Sequence, residues 1–144
     1  MNSTLEKFGY PATLIRQYSH WCVLLRSAQA TLASLILATK GEEKSFSGLR
    51  PEAFAELGRA VKDTEQTLKT FRSYDRVNYL MLMMVDPHVH FHVLPRYSAP
   101  QTFNSENFLD PGWPGLPDLK SANGISSETQ SLLLHSLRQL WPKD

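Results

Sequence analysis

The sequence has little cysteine, no long apolar run and almost no net charge, and each shortage excludes a class of protein. A single cysteine, Cys22, cannot form a disulfide within the chain. Fifteen Lys and Arg residues face fourteen Asp and Glu, so a formal charge of +1 argues against nucleic acid as a partner. The longest apolar stretches, Trp21 to Leu25 and Tyr79 to Val85, are far shorter than the ~20 residues that cross a bilayer as a helix.

The size and the start of the chain predict one cytoplasmic domain. A chain of 144 residues with 42% apolar composition can bury a core of its own, and it contains no internal repeat. Its first residues lack the basic-then-apolar order of a secretory signal. We therefore expect a single domain over residues 1–144, with a core at about 20–97, a long loop at 98–127 and a C-terminal helix at 127–141.

The first half of the chain predicts two helices and a hairpin. Apolar spacing favours a short N-terminal helix over residues 4–17, although Gly9 and Pro11 interrupt it. Two apolar runs, residues 21–25 and 32–37, are separated by a short connection that suits antiparallel strands. A long helix is predicted over residues 51–71, with Pro51 at its first position.

The second half predicts two strands, a loop and a helix. The strands cover residues 77–85 and 89–94, and Asp86 and Pro87 separate them. Residues 98–127 contain four prolines and three glycines, a density that excludes regular structure over most of that span. Ser126 or Ser127 then caps a final helix that Pro142 ends.

The feature that carries chemistry is the alternation of His88, His90 and His92. Side chains on a strand alternate between its two faces, so the three imidazoles share one face at intervals of ~6.6 Å. One such histidine is commonly a core residue with satisfied ring nitrogens. Three imidazoles buried on one face would destabilise the fold because each needs hydrogen-bond partners there. We therefore expect the face to open onto a ligand.

Two kinds of chemistry remain open for a row of imidazoles. They can bind zinc or another transition metal, although the further ligands that such a site needs, from His20, His135 or Cys22, lie far away in sequence. Alternatively, one imidazole attacks phosphorus while its neighbours donate protons and hydrogen bonds. The second chemistry requires no metal.

The seven residues from His88 to Leu94, His-Val-His-Phe-His-Val-Leu, match the signature of the histidine triad (HIT) superfamily at every position. The helix start at residues 49–52, a strand with Asn78, and Leu94-Pro95-Arg96 resemble its diadenosine polyphosphate hydrolase branch. The resemblance implies an α+β fold: a mainly antiparallel sheet of four to five strands, a long covering helix, and N- and C-terminal helices. It also implies a homodimer without a cofactor.

The function implied by the resemblance is hydrolysis or transfer at the α-phosphate of a dinucleoside polyphosphate or a nucleoside phosphoramidate. His90 would be the nucleophile and form a nucleotidyl-histidine, His92 would bind a phosphate oxygen, and His88 would orient His90. Asn78 would contact phosphate or the leaving oxygen, and it is equally typical of a strand edge. The alternatives are a nucleotide sensor with little catalysis and a metal site on the same histidines.

The sequence departs from the HIT pattern in three places. Met84, Val85 and Asp86 stand where the family has Gly-Gln-Ser/Thr. Ala33-Ser34 replaces a Gly-His pair, and Ser34 can hydrogen-bond there without carrying the same proton. The first hairpin, residues 26–30, has no Asn or acidic residue for the ribose hydroxyls.

Two aromatic residues of the long loop, Phe103 and Trp113, are candidates to stack on a base. Aromatic residues in Pro/Gly-rich loops more commonly hold such a loop to the body of a protein.

Overall fold

The fold is a five-stranded antiparallel sheet with a long helix on one face, which confirms the predicted α+β class. The computed structural model describes residues 2–143, so Met1 and Asp144 of the predicted domain lie outside the described residues. The sheet has the order β1-β2-β3-β5-β4. Its strands are β1 Leu14–Gln17, β2 Trp21–Leu25, β3 Leu35–Thr39, β4 Arg76–Leu80 and β5 His90–Arg96.

Three α-helices and a small hairpin complete the described chain. The helices are α1 Ser3–Lys7, α2 Pro51–Phe71 and α3 Ser127–Leu140, and a 3-10 turn covers Phe46–Gly48. Strands β6 Gln101–Phe103 and β7 Glu106–Phe108 form a separate two-stranded sheet within the otherwise irregular 98–127 segment. No helix among the described residues is both long enough and apolar enough to span a membrane.

The prediction of an N-terminal helix over residues 4–17 is wrong beyond Lys7. Gly9 has φ +90°, a left-handed conformation that ends the helix, and it is followed by Pro11. The chain then extends into β1, where Leu14 pairs with Leu24 of β2. Residues 14–17 therefore form a strand with β2, although their apolar spacing also suited a helix.

The predicted hairpin forms antiparallel strands, but β3 begins later than predicted. Every residue of β2 and β3 is buried. Ala33 has φ 65°, and Gln29 Oε1 accepts a hydrogen bond from its backbone N–H at 2.8 Å. Residues 32–34 are thus held in a turn, and the ladder with β2 starts at Leu35.

Helix α2 has the predicted bounds, and most of its buried side chains are small. Phe54 is 42% exposed, whereas small residues such as Ala53 and Ala60 are almost fully buried. The indole Nε1 of Trp21 donates to the carbonyl oxygen of Ala53 at 2.7 Å. Small side chains therefore let the helix backbone approach β2 closely.

Strand β4 ends at Leu80, five residues before the predicted end. Leu80 pairs with His92, and β5 begins only at His90, so the residues after Leu80 have little strand to pair with. Met83 has φ 51°, and the side chains of Met84 and Val85 are exposed. The apolar residues 81–85 thus form a surface loop that leads to the histidines.

Candidate active site

The three predicted histidines lie together on the sheet face opposite α2. His90 and His92 are on β5, directly beside Ala38 and Ile36 of β3, and His88 precedes the strand by two residues. The intervening Val89 and Phe91 belong to the apolar core on the α2 side. The alternation of a strand therefore separates the histidines from the main core.

The ring of His90 is held in one tautomer by the backbone. Its Nδ1 lies 2.7 Å from the carbonyl oxygen of His88. A carbonyl oxygen can only accept, so in the neutral ring Nδ1 carries the proton and Nε2 has the free lone pair. His90 is thus set up as a nucleophile or a base through Nε2, with the ring centroid of His92 5.3 Å away.

His88 is fixed by groups from two distant segments. The hydroxyl of Thr4, on α1, accepts from the backbone N–H of His88 at 3.2 Å and lies 3.0 Å from its Nδ1. The Nε2 of His88 lies 3.5 Å from a carboxylate oxygen of Glu42. Since a carboxylate only accepts, the neutral ring has its proton on Nε2, and Thr4 donates to Nδ1.

His92 is neutral at physiological pH. Burial, the charge of Arg26 and the neighbouring His90 lower its pKa from 6.5 to about 4, and Asp86 opposes this shift. Its Nδ1 is buried and has no hydrogen-bond partner among the described residues. A neutral imidazole carries one N–H group, so it can donate one hydrogen bond to an incoming anion.

The histidine face, which we expect to open onto a ligand, is covered in this structure. The exposed fractions of His88, His90 and His92 are 4%, 1% and 7%. The ring of Phe8, at the end of α1, lies 5.7 Å from the ring of His90 and 5.8 Å from that of His92, centroid to centroid. The N-terminal segment therefore covers the site.

The other two predicted site residues are engaged elsewhere. Asn78 pairs with Leu94 in the sheet, so it shares the histidine face, and its Oδ1 accepts from Nη1 of Arg96 at 2.8 Å. The hydroxyl of Ser34 donates to the carbonyl oxygen of Thr31 at 2.7 Å and accepts from the Thr31 N–H at 2.9 Å. The structure thus places Asn78 near the histidines and leaves the Ser34 hydroxyl inside a turn.

Asp86, which departs from the HIT pattern, and the two aromatic candidates for base stacking each have contacts of their own. Asp86 forms an ion pair with Lys7 of α1 at 3.1 Å, so the loop before the histidines is tied to the covering segment. Phe103 packs against Phe71 of α2, with ring centroids 5.5 Å apart, as a residue that holds the loop to the body. Trp113 lines a cleft beside β4, together with Asn78.

Sequence reasoning missed several residues around the histidines. Thr4 and Phe8 are about eighty positions from the residues that they contact, so no local pattern links them. Arg26 gave a usable signal, because it continues the alternation of Cys22 and Leu24 on one face of β2. Among residues 2–143, no group of three or more His, Cys, Asp or Glu side chains is arranged to hold a metal ion.

Comparisons with known proteins identify the fold. No family model matches the sequence, and no curated protein matches it either. Among solved structures, a histidine triad protein from Sinorhizobium meliloti 1021 superposes with a TM-score of 0.75 at 20% identity, over 96% of this chain and 94% of that one.

Two further solved structures of histidine triad proteins also superpose on this chain. A histidine triad protein from Marinobacter aquaeolei VT8 has a TM-score of 0.73 at 20% identity, over 94% and 93% of the two chains. A hypothetical histidine triad nucleotide-binding protein from Sulfolobus tokodaii strain7 has a TM-score of 0.66 at 16% identity, over 89% and 82%. The chain therefore has the fold of histidine triad proteins.

Proposed function

We propose that this chain is a histidine triad enzyme that hydrolyses or transfers a nucleoside phosphate, with His90 as the nucleophile. The observation that carries the proposal is the 2.7 Å contact between Nδ1 of His90 and the carbonyl oxygen of His88, which in the neutral ring places the proton on Nδ1 and the lone pair on Nε2. The seven-residue triad motif and the shared fold support the same chemistry.

The proposed reaction has two steps. The Nε2 lone pair of His90 attacks the α-phosphorus, a P–N bond forms, and the bond from phosphorus to the leaving oxygen or nitrogen breaks. A leaving phosphate oxygen departs as an anion, and a leaving nitrogen takes a proton from solvent; a water that attacks in the second step returns a proton to solvent. A water or another acceptor then attacks phosphorus, the P–N bond breaks, and the electron pair returns to Nε2 of His90.

The two flanking histidines have separate roles in this proposal. Neutral His92 donates a hydrogen bond to a phosphate oxygen on which negative charge develops. His88, whose ring is held by Thr4 and Glu42, supplies the carbonyl that orients His90. In this proposal His90 acts through Nε2, His92 through its ring N–H and His88 through its carbonyl oxygen.

Substrate entry in this proposal requires Phe8 to move. Helix α1 has only five residues and is not stable by itself, so its position depends on its contacts. One of them, between Lys7 and Asp86, is an ion pair with an exposed lysine, worth about 0–1 kcal/mol. Leu5 is also buried, and the Asn2 side chain donates to the carbonyl oxygen of Gly41 at 2.8 Å. Opening of the segment to admit substrate must therefore break these contacts as well, and closing restores them and excludes water.

The proposed substrates are dinucleoside polyphosphates or nucleoside phosphoramidates, as in the diadenosine polyphosphate hydrolase branch. Asn78 remains a proposed contact to the leaving group, because its side-chain NH₂ is not used by Arg96. Ser34 is left out of the proposed contacts because its hydroxyl is used within the turn.

A homodimer is part of the proposal. Strand β4 is at the edge of the sheet and pairs only with β5 among the described strands. Nearby loops expose large apolar side chains, namely Leu82, Met84, Val85 and Leu116. An unpaired edge with apolar side chains beside it suits pairing with a second copy of the chain.

The proposal is tested by turnover of His90→Asn with diadenosine polyphosphates and adenosine phosphoramidate. We expect His90→Asn to lose at least about a thousandfold in kcat because no nucleophile remains. His135→Asn, a change on the exposed side of α3, serves as the matched control. Wild-type turnover by His90→Asn, or turnover that excess chelator abolishes, would contradict the proposal.

A further inference from the structure

Arg26 lies on the same sheet face as the histidines. It follows β2 directly, and its backbone N–H donates to the carbonyl oxygen of Ser34 at 3.0 Å. Two positions before Arg26 in this ladder, Leu24 lies opposite Ile36, and Ile36 in turn lies opposite His92. Because opposite residues of antiparallel strands share a face, Arg26 and His92 project from the same side of the sheet.

The guanidinium of Arg26 has no carboxylate partner among residues 2–143. It donates from Nη1 to the carbonyl oxygen of Ala28 and from Nη2 to that of Leu119. Its Nε is buried and has no hydrogen-bond partner. Burial also lowers its pKa, which shows that the environment disfavours the positive charge.

Arg26 is partly buried, and a partly buried cation without a counter-charge lowers stability unless something supplies that charge. The positive charge of Arg26 acts on His92, where it is the largest charge effect that lowers the histidine pKa. His92 is itself more than nine-tenths buried, with an unpartnered Nδ1. Arg26 and His92, each with a buried nitrogen that has no hydrogen-bond partner, thus project from the same face of the sheet on either side of β3.

We propose that Arg26 and His92 together form a phosphate-binding subsite, with Arg26 as the residue that supplies the positive charge. A phosphate group would accept hydrogen bonds from Nε of Arg26 and from the imidazole, and it would neutralise the guanidinium. The inference rests on the proposed function, because the phosphate bound there belongs to the substrate that His90 attacks.

The proposal gives the first hairpin a function that its composition does not suggest. Residues 26–30 contain no Asn or acidic residue for ribose hydroxyls, but they begin with a cation that faces the triad. Substrate affinity would then depend on phosphate charge more than on the sugar. Adenosine without a phosphate should accordingly bind weakly.

The test is calorimetric titration of the full chain with AMP, adenosine and inorganic phosphate. Arg26→Gln should weaken AMP and phosphate binding at least about tenfold, and adenosine binding should stay unchanged. Arg26→Lys keeps the charge without the Nε donor, so its AMP affinity should be intermediate. The control is Arg138→Gln, which removes the same charge from an exposed arginine that also donates to a backbone carbonyl, that of Leu14.

A second readout keeps the test independent of the variants' stability. In the wild-type protein, ¹⁵N NMR of the imidazoles should show a phosphate-dependent shift at His92 and none at the exposed His135. Equal losses in Arg26→Gln and Arg138→Gln, unchanged AMP affinity in Arg26→Gln, or no response of His92 to millimolar phosphate would each overturn the subsite.

Equilibrium binding also separates this inference from the proposed reaction. If His90→Asn turns over substrate normally while Arg26→Gln still loses phosphate affinity, the assignment of His90 as the nucleophile is wrong, but the proposed phosphate subsite is supported. If His90→Asn is inactive and Arg26→Gln binds AMP normally, the nucleophile stands and the subsite is wrong.

Discussion

At the residue scale, a line of hydrogen bonds connects helix α1 to the proposed nucleophile. The Thr4 hydroxyl contacts both the backbone N–H and the ring of His88, and the carbonyl oxygen of His88 accepts from His90. Thr4 is 1% exposed, so water cannot replace its hydroxyl without a rearrangement of α1. In the proposed reaction, Thr4 would therefore act through His88, as a positioning residue.

Replacement of Thr4 by valine, which has nearly the same shape, should lower kcat about tenfold with little change in KM. The loss corresponds to one hydrogen bond of ~1.4 kcal/mol that orients the triad. Thr4→Ser should restore most of the rate because it keeps the hydroxyl. Steady-state kinetics with a diadenosine polyphosphate measures both variants.

Thr64→Val is the control for that comparison. Thr64 is fully buried in α2, and its hydroxyl donates to the carbonyl oxygen of Ala60. If Thr64→Val and Thr4→Val lower kcat equally, or if Thr4→Ser is no better than Thr4→Val, the positioning role of Thr4 is wrong.

The residues that sequence alone could identify are those that are close together in the chain. His88, His90 and His92 form one contiguous motif on one strand, so period-two alternation places them on a common face. Thr4 lies 84 positions from His88, and Arg26 shares a sheet face with His92 although β3 lies between their strands. Such contacts depend on how strands are ordered in the sheet, which residue spacing does not encode.

At the element scale, the strongly periodic segments were predicted well and the segments near Gly and Pro were not. Helix α2 has its predicted bounds because Pro51 suits a helix start and apolar residues recur at helical spacing. Helix α1 is short because Gly9 adopts a left-handed conformation, and β4 is short because β5 begins only at His90. Local spacing cannot report where a partner strand begins.

The element that controls access to the site is α1, with Phe8 at its end. Phe8→Ala should speed chemical modification of His90 by diethylpyrocarbonate severalfold, because the ring no longer lies over the imidazoles. Peptide mass spectrometry measures the rate for each histidine. Substrate analogues should protect His90 in both proteins.

The control for Phe8→Ala is Phe46→Ala. Phe46 is 42% exposed and contacts Phe91, whose side chain lies on the core side of β5, away from the histidines. The covering role of Phe8 is contradicted if His90 already reacts as fast in the wild-type protein as the exposed His135, or if Phe46→Ala gives the same acceleration.

At the scale of the whole molecule, the sheet divides the protein into a structural face and a reactive face. The α2 face holds most of the apolar core, and the other face holds the histidines, Arg26 and a smaller apolar cluster that includes Leu5 and Ile36. The cover over the reactive face is thus a thin N-terminal segment. A triad can be buried here and still lie close to solvent.

The proposed dimer is tested by sedimentation of wild-type protein and of Met84→Glu/Val85→Glu. We expect a wild-type dimer and a variant shifted toward monomer, because both side chains are more than four-fifths exposed and charge would disfavour their burial. Leu132→Glu, at an exposed position on α3, should not change the association. A wild-type monomer, or a double variant that sediments as the wild type does, would refute this interface.

The central claim, that His90 becomes covalently attached to the nucleotide, is tested most directly by stopping the reaction with acid-free denaturant and sequencing the modified peptide by mass spectrometry. The account predicts a nucleoside monophosphate on the peptide that contains His88, His90 and His92, located at His90 and missing in His90→Asn. Steady turnover with no adduct on that peptide, or an adduct located on another residue, would contradict it.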